Sequence, residues 1–287
     1  MVVAPVLWSS AGVVTRHMER AEPLEQVFWR SLFAFAFVAV ALVSLSTNPF
    51  KAVRAAGLAG LFSGAMWAVM FTAFVIALSM TTTANTLVTM SISPLLTALC
   101  AWLLLSDPIP PRAWVAAAAA SAGIAWMFAS SMDDAGHVGG MLVALLVPLA
   151  SALNLVALRA SHARVDLVPA VMLGGLLSAL VALPLALPFS ASPRDLLLLA
   201  LLGVFQLGLP CMLLVVASRH LLAPELALLG LLEVVLGPLW AWLGAGEVPA
   251  RATLLGGAVV LAALIGNELA AFRRIMRGKL SVTRISG

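Results

Sequence analysis

Glu233 stands in the apolar run Leu231-Leu232-Glu233-Val234-Val235 and is the one acid well inside a hydrophobic stretch of this chain. A carboxylate at such a depth is expensive and functional by default, able to meet a solute amine or to take up a proton. A structural acid, hydrogen-bonded where helices pack, is the competing account. The residue 140 positions earlier is Ser93, and the same offset pairs Asn85 with Glu225, Trp102 with Trp242 and Asp107 with Glu247. One offset that aligns four positions points to an internal duplication, and in a membrane protein the duplicated segments point to the binding site. In the first copy Asn85, Thr89 and Ser93 recur at i, i+4 and i+8, one face of a helix. Hydroxyls and an amide there would wall a cavity that accepts an amino or carboxylate group without the desolvation cost of a fixed charge. The alternative is that they bond their own backbone or hold helices together. Glu225, just after Pro224, reads as a capping residue.

Other residues could complete such a cavity. Trp67, Phe71 and Phe74 fall at i, i+4 and i+7, and Trp8 lies in the first apolar run. The stripe would suit an apolar side chain, or it is packing. Gln206 is a mid-run amide, ahead of Asn154 and Asn267 as a binding residue. Pro94, Pro148, Pro210 and Pro238 each remove a backbone hydrogen bond inside a helix, so they are expected to kink it and are candidate hinges. Arg30 beside Trp29 reads as an interface anchor, or as a gate residue pairing with Glu25. Gly60 and Gly64 make a pair for close helix contact. The chain carries no His-Glu-x-x-His, Cys-x-x-Cys, P-loop or Gly-x-Ser-x-Gly motif. No metal site, cofactor or enzymatic activity is expected. Cys100 and Cys211 read as small core residues.

What must position these groups is a set of membrane helices. The chain is 63% hydrophobic and 10% charged, against about a quarter charged in soluble domains, so lipid is its solvent. Ten apolar runs are expected to span the bilayer, over 2–15, 27–46, 55–78, 83–105, 113–131, 138–158, 167–187, 196–218, 224–243 and 254–272. Asp133-Asp134 and the glycines after it divide them into five and five, giving halves 1–135 and 136–287. Five is odd, so the second half enters the membrane from the opposite side and the repeat is inverted. Eleven of the 16 Lys and Arg residues fall on the side of both termini. Arg16, Arg20, Arg30, Arg194 and Arg251 fall on the other. The positive-inside rule then puts both termini in the cytoplasm. The basic residues form no face on a folded domain, so nucleic acid is not an expected partner.

The motifs match a family. Leu7-Trp8-Ser9-Ser10, Phe28-Trp29-Arg30 after Pro23, Pro94 ahead of Asp107, and the run from Glu233 through Pro238 to Gly246-Glu247 resemble the EamA-type proteins of the drug/metabolite transporter superfamily. Val234 stands where many relatives have proline, and Asp107 where Glu is usual. The resemblance implies ten helices in two five-helix repeats and export of small metabolites across the bacterial inner membrane by alternating access. Amino acids are the leading solute class, with cationic drugs or nucleosides as the alternative. The protein is expected to work as a monomer in the lipid bilayer. Readings from other classes are a membrane scaffold, which would need no Glu233, and an intramembrane enzyme, for which no nucleophile–base pair stands at one depth.

Overall fold

The structure is a computed structural model, and it describes residues 3–45, 48–106, 110–130, 135–160, 168–217 and 223–285. Among these the chain is helical throughout, with no strand. Asp107 and the Asp133-Asp134 break lie outside the described residues, as does the side chain of Glu225. Six helical stretches are long and apolar enough to cross a membrane: Pro23–Ser44, Pro49–Met80, Thr83–Leu104, His137–Asn154, Val168–Ala186 and Pro193–Val215. Shorter apolar helices cover Val3–Thr15, Leu232–Ala245 and Arg251–Asn267.

In chain order, α1 (Val3–Ser9) and α2 (Ala11–Thr15) are two pieces of one apolar stretch. Next come α3 (Pro23–Ser44) and α4 (Pro49–Met80). Then α5 (Thr83–Met90), α6 (Ser93–Leu105) and α7 (Pro111–Ser130) complete the first half. The second half holds α8 (Ala135–Ala144), α9 (Leu146–Ala160), α10 (Val168–Ala186) and α11 (Pro193–Leu201). A π-helical turn over Leu202–Gly208 leads into α12 (Leu209–Ala217). The chain closes with α13 (Ala223–Ala245) and α14 (Arg251–Ile285).

Proline explains where the apolar stretches break. Pro94 has no N–H for the Met90 carbonyl, and α5 ends at Met90, with Ser91 and Ile92 as a turn before α6. The Ser91 hydroxyl donates to the Val88 carbonyl at 2.6 Å. Pro148 follows the break at Leu145 between α8 and α9. Pro210 gives no N–H to the Gln206 carbonyl, and the chain passes Gln206 as a π turn. At Pro238, by contrast, α13 runs on. Gly57 breaks α4 with φ 56° and ψ −149°, separating a short leading segment that carries Lys51 and Arg54. Several boundaries differ from expectation, two of them at proline starts. The second span begins at Pro23 rather than near residue 27, because Pro23 is a ready-made first helical residue. The third begins at Pro49, capped by Asn48, whose side chain accepts from the Phe50 and Lys51 amides.

The two halves interlock. Helix α10 lies along α3 and α4, α9 along α4 and α6, and α13 against α1, α2 and α5. Close approach depends on glycine. A Cβ on Gly174 would meet Trp67 Cβ at 2.4 Å and the Gly64 carbonyl at 3.2 Å, and one on Gly203 would meet the Arg30 carbonyl at 2.6 Å. Gly64 of the sequence pair thus faces α10, while a Cβ on Gly60 would meet Ala56 of its own helix. Ser178 of α10 ties α3 to α4, bonded to Ser31 at 2.9 Å and Thr72 at 2.9 Å. Helices α7 and α14 cross where a Cβ on Gly256 would stand 2.7 Å from the Gly123 carbonyl. Backbone cannot yield as a flexible side chain can. Gly256→Ala is therefore expected to destabilise by about 1–3 kcal/mol, read as a lower melting temperature in detergent.

Candidate functional site

The N-terminal half of α3 carries Arg30 inward, about 10 Å along the axis from Pro23 at 1.5 Å per residue. The side chain is 1% exposed. It donates from Nη2 to the Phe71 carbonyl of α4 at 2.6 Å and from Nη1 to Gln206 Oε1 at 3.3 Å. The guanidinium carbon sits 5.7 Å from the Phe74 ring centroid, and Nε has no hydrogen-bond partner among the described residues. The interface position expected for Arg30 came from starting the helix near residue 27; counted from Pro23, it lies two turns inside. Nor does it pair with Glu25, whose carboxylate is occupied elsewhere.

Gln206 is placed against Arg30 by the π turn, which adds a residue to the helix and swings its face. Its amide also donates to the Trp8 carbonyl at 3.5 Å. Glu233 stands on α13, which packs against α1, α2 and α5. Glu233 itself keeps accessible surface. Trp8 and Trp67 pack on the apolar cluster that holds Phe71, Phe74 and Cys211, with the Trp67 and Phe71 rings 5.4 Å apart. So the structure brings Trp8, Arg30, Trp67, Phe71 and Gln206 together. These groups come from both halves of the chain.

The polar face of the fourth span is placed differently. Asn85 is 4% exposed and its amide is filled: Nδ2 donates to Thr81 Oγ1 at 3.1 Å, and Oδ1 accepts from Thr253 Oγ1 at 2.6 Å. It ties α5 to α14. Thr89 is fully buried and its hydroxyl has no partner among the described residues. Ser93 starts α6, beyond the break, so it does not continue the face of Asn85 and Thr89 on one straight helix. Trp102 and Trp242 are half exposed, at 44% and 52%, as lipid-facing residues would be.

Three acids that the sequence placed merely in loops or at helix ends gather at one end of the bundle. Gly246, at φ 67°, turns the chain after α13, a geometry glycine adopts freely. Glu247 is thereby aimed at the start of α5. It accepts from the Thr83 amide, from Thr83 Oγ1 at 3.0 Å and from Arg16 Nε at 3.1 Å. Arg16 also donates to the Thr81 carbonyl at 3.0 Å. A few residues on, the chain meets Asp195 of α11, which accepts from the amides of Glu19 at 2.8 Å, Arg20 at 3.0 Å, Ala21 at 3.2 Å and Ser192 at 3.1 Å. Glu25 of α3 does the reverse. It accepts from the Ser190 amide at 2.9 Å, Ser190 Oγ at 2.9 Å, the Ala191 amide at 3.0 Å and Trp29 Nε1 at 3.3 Å. Glu25 and Asp195 are both fully buried. Each sits at the third position of a helix opened by proline and holds the loop of the other half. The sequence signal was the paired Pro-x-acid start, Pro23-Leu24-Glu25 and Pro193-Arg194-Asp195. No group of three or more His, Cys, Asp and Glu suited to a metal occurs among the described residues.

The interlocked halves and the charged groups inside them define a multi-pass helical membrane protein built from a repeated unit. The EamA-like transporter family model matches residues 1–129 and again 138–267, and the chain belongs to that family. It is thus placed among membrane transporters of small solutes. The second match begins close to the offset that pairs Asn85 with Glu225. A solved structure described as "Crystal structure of protein" is similar over 94% of this chain and 96% of its own, at 18% identity and TM-score 0.66. At that identity the likeness is one of fold alone. No curated protein matches the chain.

Proposed function

We propose that this protein is a secondary carrier that exports small polar or amphipathic metabolites, amino acids foremost, by alternating access. The observation that carries the reading is the interior cluster: a buried guanidinium with an N–H unpartnered among the described residues, held by the Phe71 carbonyl and Gln206 at a junction of helices from both halves. Intramembrane charges of this kind mark solute paths. The remaining parts belong to the same proposal: ten crossings in two inverted repeats, both termini in the cytoplasm, and a bacterial inner membrane. On that topology the end gathered by Glu247, Asp195 and Glu25 is the external one. The conformation described is then shut outside, the state in which a carrier would load from the cytoplasm.

The test is counterflow. Proteoliposomes preloaded with one unlabelled amino acid from a panel are expected to accumulate its labelled form, saturably and only with protein. Repeating this with and without a pH gradient asks whether Glu233 carries a proton. Exchange indifferent to the gradient assigns Glu233 to solute or structure, and exchange driven by it assigns the proton. Exchange of cationic drugs or nucleosides in place of amino acids would replace the solute class and keep the carrier. Accumulation of no solute would overturn the reading.

A further inference from the structure

Arg30 is a buried cation that no carboxylate neutralises among the described residues. Both of its acceptors are neutral oxygens, the Phe71 carbonyl and the Gln206 amide, and Nε has none. A guanidinium offers five donors in a planar fork suited to a carboxylate. Leaving it incompletely bonded away from water is costly, so its retention calls for an acceptor that comes and goes. The Gln206 bonds are long, at 3.3 Å to Arg30 and 3.5 Å to the Trp8 carbonyl, near the outer limit for such contacts. A carboxylate would form shorter, charge-assisted bonds in the same place. Gln206 is also carried on a π turn, a feature often found at functional sites.

We propose that Arg30 is the anchor for a carboxylate on the transported solute, with the Gln206 amide holding its place until solute arrives. The assignment rests on the carrier reading above and narrows its substrate class. Glu233 stands on α13 and makes no hydrogen bond to another described group. No ion pair joins it to Arg30 among the described residues. Trp8 and Trp67, packed on the cluster that includes Phe71, offer apolar surface to the side chain. The solute class is a small α-amino acid with an apolar or aromatic side chain.

The experiment uses the full chain in proteoliposomes, with leucine and phenylalanine as probes. Each is compared with its decarboxylated amine, isopentylamine or phenethylamine. Wild type is expected to exchange the amino acids and to discriminate against the amines by at least about 100-fold, the order expected when a buried charge loses its partner. Arg30→Lys should lower amino-acid exchange about tenfold or more, because an ammonium cannot grip a carboxylate with two parallel bonds. Gln206→Glu tethers a carboxylate beside Arg30. It should raise the melting temperature while abolishing amino-acid exchange and thermal stabilisation by leucine. That variant keeps the test open should Arg30→Lys fail to fold. Wild type that exchanges amines as well as amino acids overturns the anchor and leaves the carrier standing. So does normal leucine exchange by Gln206→Glu. Saturable stabilisation by leucine that Gln206→Glu abolishes, without exchange in wild type, would keep the anchor and sink the carrier.

Discussion

Replacing Glu247 with alanine is expected to open the end of the bundle where Arg16, Thr83 and Glu247 meet. One carboxylate there joins the end of α13 to the start of α5 and to the residue following α2. Glu247 is 13% exposed and Arg16 36%, so the ion pair alone is worth little. The larger part comes from the Thr83 amide at a helix N-terminus, where a carboxylate is favoured by the aligned peptide dipoles. Losing these contacts should remove about 1–3 kcal/mol from the closed form, which shifts its population 5- to 150-fold. Cys211 provides the probe, because it is 1% exposed and belongs to the interior apolar cluster on which Trp8 packs. In a Cys100→Ala background, a membrane-impermeant maleimide applied from the Glu247 face should label Cys211 slowly in the parent. It should label about 5- to 150-fold faster after Glu247→Ala. Equal rates would mean that the contact does not hold the end shut. Arg16→Ala should give a smaller rise, since it leaves Thr83 bonded.

The second expected result concerns stability. Asp195→Ala removes a buried acceptor shared by four backbone amides, those of Glu19, Arg20, Ala21 and Ser192. Each donor left without a partner costs about 1–3 kcal/mol while it stays buried. The 19–21 segment can relax toward water, so the expected loss is about 3–5 kcal/mol rather than the full sum. Detergent melting should show it as a large drop, with Glu25→Ala similar because its carboxylate also holds a distant loop. Arg194→Ala is the control. Its ion pair with Glu19 joins side chains 59% and 48% exposed, and such pairs contribute about 0–1 kcal/mol. A drop after Arg194→Ala as large as after Asp195→Ala would assign the effect to surface charge and remove the clamp.

The two halves were legible before any coordinates because duplication leaves a trace in residue types. Asn85 with Glu225 and Trp102 with Trp242 keep one spacing, and the family model matches twice. The breaks at Pro94, Pro148 and Pro210 were legible because a missing N–H is a local fact. Glu233 and Gln206 could be singled out as polar groups in apolar runs without knowing their neighbours. Arg30 was displaced by one choice, where α3 begins, and Pro23 at its first turn holds the answer.

What the sequence by itself determined is that this chain is a membrane protein of two related halves, with a few polar groups held at depth. Hydropathy, repeat spacing and proline chemistry are properties of short stretches, and a bilayer makes them decisive. Tertiary structure alone decided the partners. Asp195 meets amides more than 170 positions away, Glu247 meets Thr83 164 positions away, and Asn85 is filled by Thr253. It also set Arg30 against Gln206 and Phe71, with no carboxylate bonded to it among the described residues. A charge declares its cost through its own chemistry, but the group that offsets it is chosen by how helices cross, and that geometry has no local signature.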